Sequence, residues 1–340
     1  MLAHASASAT RISITCGRVD FGQFGARRRP GYALFPQFVL LNEWLILTNL
    51  FVRQEIVRNV RPVALFVVAA IAVGSCGVAA DGVGDDVIQG QRDNLATAFA
   101  AEQFGPQAPR DIESTAGSNP VTFDEAPPYT EMNICNIHFH EGAEHRGGEF
   151  TTYAGNGDGE GLETGYLFDG ELTDAELEPW EGGLVGQFEG SALEPGDTIE
   201  IHYVHSTDPI EPGPTLGACL ASDTSTPQLR VEAQVFVLVN DESAASLVEL
   251  TELEAIGDYI QAPNIPTDTG TPIQYAGSTT GPSFNEVGSP FMVSWSVRPE
   301  VTRVHIGSVQ EWFEDNPFEE EYAHAVRNLV TNEDLLSEIG

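Results

Sequence analysis

Two stretches of this chain place histidines on the face of a β-strand, and the histidines of both can serve one site. In Cys135-Asn-Ile-His-Phe-His140, β-branched and aromatic residues alternate with polar ones, the signature of a strand. A period of two points Asn136, His138 and His140 to one side. Further along, Thr198-Ile-Glu-Ile-His-Tyr-Val-His205 repeats the pattern. It puts Glu200 and His202 on one face, and Ile199, Ile201, Tyr203 and His205 on the other. Two imidazoles two residues apart can reach one cation. A catalytic zinc takes three protein ligands and keeps an open position, so His202 completes the set and His205 does not. Asn136 and Glu200 each precede a ligand by two residues on the ligand's own face. Side chains there can accept the N–H of the far ring nitrogen and fix its tautomer. The alternative is a buried histidine pair satisfied by its neighbours; the third histidine and the two polar partners argue against it.

His-Phe-His, Gly142-Ala-Glu-His145 and Glu200-Ile-His-Tyr-Val-His205 resemble the zinc strands of alpha-class carbonic anhydrases. The compressed form, with Gly-Ala-Glu-His directly after His-x-His, is closer to the delta class and its bacterial members. Gln107-Ala-Pro-Arg-Asp-Ile112, Tyr275-Ala-Gly-Ser-Thr-Thr-Gly-Pro282 and Met292-Val-Ser-Trp-Ser-Val297 are similar to further alpha-class segments in the same order. The resemblance runs from about residue 100 to 300. It implies a mainly β fold with peripheral helices (α+β), a single domain around a twisted, mostly antiparallel central sheet. It also implies a zinc enzyme that interconverts carbon dioxide and bicarbonate, releasing a proton, by means of zinc-bound hydroxide. Zinc would be held by His138, His140 and His202, with cobalt or cadmium as substitutes. Thr279 would orient the hydroxide and pass its own hydrogen to Glu144, these two being the catalytic pair. Val204 and Trp295 would line an apolar substrate wall, with plain core packing as the alternative for both. His145 is an option for moving the proton, although its match in the Glu-His motif of the family is usually structural. The alpha class often shuttles protons through a histidine before the His-x-His strand; here only His4 precedes it, leaving rim carboxylates or external buffer.

Two rivals fit some of these residues. His138, His140 and Glu144 also match the first motif of a cupin, in which they would bind iron or manganese. However, His202 falls too late after Pro195-Gly196 for the second cupin motif. The other rival is a non-catalytic zinc-binding surface protein on the same scaffold, which normally lacks one of the zinc histidines.

The basic residues number 15, and all are Arg. Beyond Cys76 the chain carries 48 acidic and 7 basic residues. Such a field repels nucleic acid and anionic lipid surfaces, which excludes a nucleic-acid partner. It also suits a protein kept in salt, where screening relieves self-repulsion; equal stability with and without molar salt would refute that idea. Residues 1–56 are basic and irregular, and read as an extension upstream of a true start near Val57. Within them, Phe38 to Val52 is apolar but carries Asn42, Glu43 and Asn49, a poor membrane span; a genuine N-terminal membrane segment is the alternative. Residues 57–76 read as a signal peptide, with a charged start, an apolar run and Val73-Gly-Ser-Cys76 resembling a bacterial lipobox. Lipidation at Cys76 would tether the protein at a periplasmic or cell-surface membrane, its one membrane contact; cleavage after Ala80 would release it.

Residues 77–99 read as an acidic linker with a short helix beginning near Asn94, and 100–340 as the enzyme domain. Export implies an oxidising compartment, so Cys135 and Cys219 are expected to pair. That bond would close a loop of about 84 residues; two buried thiols are the alternative. Asn156-Gly-Asp-Gly-Glu-Gly161 has the alternating oxygens of a calcium loop. Leu167 stands where such a loop needs its bidentate Glu, so a solvated acidic hairpin is expected. Leu229 to Asn240 reads as a central strand. Glu242 to Ile260 and Glu311 to Ile339 show apolar spacings of a helix, the second broken near Pro317.

Overall fold

The longest runs of β-branched and aromatic residues form the strands that carry the histidines. The structure, a computed structural model, describes residues 82–338 apart from 103, 122, 189–190, 222–225 and 280–284. The N-terminal extension, the signal peptide, Cys76 and Thr280 lie outside the described residues. The described residues all fall within one compact unit, 74–340.

In chain order, α1 (Asp85–Glu102) is followed by β1 (Asn133–Glu141), β2 (Thr152–Asn156), β3 (Thr164–Leu167), β4 (Val185–Phe188), β5 (Ser191–Leu193), β6 (Thr198–Ser206) and β7 (Leu229–Val239). Then come α2 (Leu247–Leu250), β8 (Glu254–Ile256), β9 (Tyr259–Gln261), β10 (Ile273–Ser278), β11 (Met292–Val297), β12 (Thr302–His305) and α3 (Ile306–Glu314). The central sheet runs β1-β6-β7-β11-β10, with β12 also paired to β7. Three of its pairings are antiparallel, β1–β6, β6–β7 and β10–β11. β11 and β12 lie parallel to successive halves of β7. The sheet is therefore mixed but mainly antiparallel. β7 is buried along its whole length, as expected of a strand paired on both edges and covered on both faces.

Strand alternation divides the core. Ile137, Phe139, Ile199, Ile201, Tyr203, Phe236 and Leu238 face one side, where Val309 and Trp312 of α3 pack. Val204, Val231, Ala233, Val235, Tyr275 and Trp295 face the other, on the side of the three histidines. The β1–β6 register slips between Ile134 and Asn136. This bulge turns Ile134 toward the first side and Cys135 toward the second. Cys135 there joins Cys219 in a disulfide. The glycine-rich acidic stretch forms the β2–β3 hairpin, whose loop is pinned by Asp158 Oδ1 accepting the N–H of Glu160 and Leu162.

Three expectations need correction. Glu242 to Ile260 is not one helix. Ser246 caps the single turn of α2, and Gly257-Asp258 then closes the β8–β9 hairpin with Gly257 at φ 65°, a turn that demands glycine. The last helix begins upstream at Ile306 and stops at Glu314. There Asn316 donates to Trp312 O and Glu320 O and accepts from the N–H of Phe318 and Glu320, turning the chain out of the helix. Most of residues 315–338 is irregular. The short helix expected from Asn94 begins earlier, at Asp85, so α1 takes up much of the expected acidic linker; Leu95 lies at helical spacing from Ile88 and packs with Val330, Leu335 and Leu336.

Candidate metal centre

β1 and β6 bring the histidines together by register. His138 sits directly opposite His202, and His140 opposite Glu200. All three imidazoles are buried. Their inward nitrogens, one from each ring, lie within 4.8 Å of one another.

Each ring presents one nitrogen to this point because its other nitrogen is bonded elsewhere. His138 Nδ1 is 2.6 Å from Asn136 Oδ1, while the Asn136 amide donates to Gly213 O at 3.1 Å. His140 Nδ1 is 2.8 Å from the carbonyl oxygen of Ala325. His202 Nε2 is 2.8 Å from Glu200 Oε1. All three partners are acceptors, so each outer nitrogen carries the proton and each inner nitrogen a lone pair. His138 Nε2 and His202 Nδ1 face each other at 3.3 Å. His140 Nε2 is buried with no hydrogen-bond partner among the described residues. Converging lone pairs repel, and an unpartnered buried nitrogen costs desolvation energy. A cation resolves both problems, so the residues fit a metal. Burial, reinforced by the imidazoles of His202, His140 and His324, holds His138 well below the usual histidine range. Burial pushes His140 down to about 4, against the pull of Glu144. Both rings are thus neutral and ligand-competent near neutral pH.

The support extends behind the ligands. Glu200 is fully buried. Its Oε1 accepts from His202 Nε2 and, at 2.6 Å, from His145 Nδ1, and its Oε2 accepts from the His145 backbone N–H at 3.0 Å. Burial alone would raise Glu200, but His145 and His202 hold it well below the carboxylate range. His145 Nε2 in turn accepts from the Tyr275 hydroxyl at 2.5 Å, which burial keeps protonated. His145, Glu200 and His202 can also be drawn as a metal triad, but protons already fill the spaces between them. Gln107 accepts from the Ser289 N–H at 3.1 Å, and Arg110 lies over the Tyr275 ring at 4.8 Å. The Gln107–Ile112 motif therefore backs the Tyr275 strand.

Beyond the three histidines lies a cavity of about 20 Å³, room for little more than one water. Its lining includes the apolar Val204, Val231, Leu216 and Trp295 and the polar Thr279, Glu144 and Arg327. Glu144 reaches this position because Gly142 turns the chain after β1 at φ 86°, where a Cβ would meet Thr164 O at 2.2 Å.

The delta carbonic anhydrase family model matches residues 129–308, just over half of the chain. The chain belongs to the delta carbonic anhydrase family. This carbonic anhydrase catalyses the reversible hydration of carbon dioxide to bicarbonate. Solved structures similar to it include the Photobacterium profundum alpha-carbonic anhydrase, at 16% identity and TM-score 0.24, covering 70% of this chain and 93% of that one. A hyperthermostable carbonic anhydrase identified from an active hydrothermal vent chimney shares 14% identity at TM-score 0.25, with coverage of 70% and 90%. The alpha-carbonic anhydrase from Thermovibrio ammonificans, in complex with sulfanilamide, shares 12% at TM-score 0.23, with coverage of 68% and 88%. No curated protein matches.

The carbonic anhydrase geometry excludes the cupin arrangement. Glu144 lies 3.7 Å from His140 Nδ1 and 3.8 Å from His202 Nε2, both outward nitrogens, so it is outside the ligand set. Burial raises Glu144, but His140, Arg327 and His202 outweigh it and keep it ionised. Among the described residues no hydrogen bond joins Glu144 to Thr279, whose hydroxyl is 3.5 Å from Ser289 Oγ. Glu144 accepts instead from the Arg327 N–H at 3.0 Å. His205 points away from the site and bonds Tyr203 O. Pattern reading missed the C-terminal contributors. Ala325 acts through its carbonyl, which leaves no trace in a sequence. His324 stacks on His138 with ring centroids 5.1 Å apart and bonds Glu320 at 2.6 Å. Both line a cleft of about 600 Å³ that reaches His138.

Proposed function

We propose that the metal of this carbonic anhydrase is zinc, held by His138, His140 and His202. Zinc held by three neutral imidazoles acidifies a bound water to a pKa of about 7, which makes hydroxide available at neutral pH. The observation that carries the reading is the inward lone pair on each ring, fixed by Asn136, Ala325 and Glu200 on the far side. Cobalt and cadmium, which accept the same donors, are expected substitutes.

Val204 and Trp295, with Val231 and Leu216, give carbon dioxide an apolar wall, suited to a small uncharged substrate that needs no ionic clamp. Thr279 and Glu144 would form the orienting pair: the Thr279 hydroxyl, which lies 3.5 Å from Ser289 Oγ and is not bonded to Glu144 in this structure, would accept a hydrogen bond from the attacking group and turn its own hydrogen toward the carboxylate. That both line one cavity and both bond Arg327 supports this role. The test is metal analysis with carbon dioxide hydration assays on Thr279→Ala and Glu144→Gln. Both variants should keep stoichiometric zinc and lose about 10²-fold or more in kcat/KM, the scale of a lost transition-state contact. Loss of metal from Glu144→Gln would instead make Glu144 a ligand.

Export is part of the same proposal, with lipidation at Cys76 or release by cleavage after Ala80. The buried Cys135–Cys219 disulfide supports an oxidising compartment. Intact mass of the mature protein tests it: a lipid-modified N-terminus at Cys76 is expected for the anchored form, and an unprocessed chain would refute export.

A further inference from the structure

Arg327 lies beyond the residues that the family model matches, in the irregular C-terminal segment, yet it touches both members of the proposed orienting pair. Its guanidinium donates through Nη1 to Thr279 O at 2.7 Å and through Nη2 to Ser278 O at 3.1 Å. Its backbone N–H donates to Glu144 Oε1 at 3.0 Å, and its Nε lies 3.8 Å from the same oxygen. The side chain is only 11% exposed and faces the cavity.

The surroundings leave Thr279 little freedom. β10 ends at Ser278, whose carbonyl also accepts from the Trp295 indole at 3.3 Å. The Thr279 N–H donates to Phe291 O at 3.2 Å. With its carbonyl held by Arg327, the Thr279 main chain is fixed from both ends, and with it the origin of the hydroxyl. A planar guanidinium can reach two successive carbonyls at once. A lysine ammonium is a single point of charge and cannot reproduce the fork.

We propose that Arg327 is a positioning residue for hydration, clamping Thr279 relative to Glu144 and the three histidines. This rests on the reading of Thr279 and Glu144 given above. Misplacing a reacting group by about 1 Å can cost on the order of 10²-fold in rate, whereas loss of a surface staple would lower only stability.

The test uses the full-length protein as wild type, Arg327→Ala and Arg327→Lys, each measured for zinc content, thermal midpoint and kcat/KM for carbon dioxide. Measurements are made with and without low millimolar guanidinium chloride. Arg327→Ala should keep its zinc, lose roughly 10- to 100-fold in kcat/KM, and regain part of the loss when guanidinium fills the vacated site. Its dependence on buffer concentration, which reports proton removal, should not change. Arg327→Lys should fall between the two and not respond to guanidinium. It carries the comparison if the alanine variant does not fold. Wild-type kcat/KM in either variant would overturn the proposal, as would a loss that tracks zinc release and is not rescued. Wild-type protein that binds zinc and hydrates no carbon dioxide would overturn both the proposal and the reading beneath it.

Discussion

Replacing Glu200 by glutamine exchanges a single heavy atom and should still weaken the metal centre. Glu200 is fully buried and accepts three N–H donors, the His202 and His145 rings on Oε1 and the His145 backbone on Oε2. Glutamine supplies one carbonyl oxygen. If that oxygen meets the two rings, its NH2 confronts the His145 backbone N–H. If it meets the backbone, the NH2 confronts both ring N–H groups. His202 then has to move its proton to Nδ1, the nitrogen that faces His138 Nε2, and it ceases to be a ligand. Either way at least one buried hydrogen bond to a charged acceptor is lost, worth about 1.5–3 kcal/mol, and the remaining ones weaken. The expected loss of stability is about 2–4 kcal/mol, or roughly 4–15 °C in thermal midpoint for a domain of this size. Zinc affinity should fall about 10- to 100-fold, the usual effect of removing an outer partner of a ligating histidine. Calorimetry of the metal-free protein and zinc competition against a chromophoric chelator measure the two effects separately. A glutamine variant that melts with the wild type and binds zinc equally well would refute the reasoning.

Replacing both cysteines of the Cys135–Cys219 bond with alanine, or reducing it, opens a loop spanning 84 residues. Denaturant titration should show a loss of about 4–5 kcal/mol by the chain-entropy estimate, and the wild-type midpoint should be insensitive to reductant only if the bond never forms. Burial pushes His140 to about 4 and His205 to about 3. The folded state therefore binds fewer protons than the unfolded state below pH about 6.5. Their contribution is complete above that pH and is lost as pH falls toward 4 and then 3. Metal-free protein should lose about 2 kcal/mol from each by pH 5 relative to pH 7.5; a thermal midpoint that stays flat across this interval would contradict it. Val204→Phe adds bulk to the cavity of about 20 Å³ without touching a ligand. It should retain zinc while kcat/KM for carbon dioxide falls by more than about tenfold, and unaltered turnover would place the substrate elsewhere.

The parts of the site legible in the sequence are those carried by long strands. Alternation alone puts Asn136, His138 and His140 on one face and Glu200 with His202 on another, and the β1–β6 register lays those faces together. The outer acceptor two residues before a ligand is equally visible, because a strand returns to the same face at that spacing. The acceptor for His140 could not be read, since a backbone carbonyl from Ala325 has no side-chain signature. Arg327 and His324 were illegible for a related reason. They sit in the irregular segment after Asn316 ends α3, where position depends on contacts with distant residues and not on a repeat. The helix expected over 242–260 failed because leucines at three-residue spacing fit a short turn followed by a hairpin as well as they fit a helix. Ser246 and Gly257 decide between them.

The central claim is that the three-histidine centre hydrates carbon dioxide. Its most direct test is hydration by the purified protein as prepared, after chelation and after zinc is restored, with His202→Ala alongside. Activity should disappear on chelation, return with about one zinc per chain, and never appear in the variant. Activity that survives complete metal removal, or that His202→Ala retains, would contradict it.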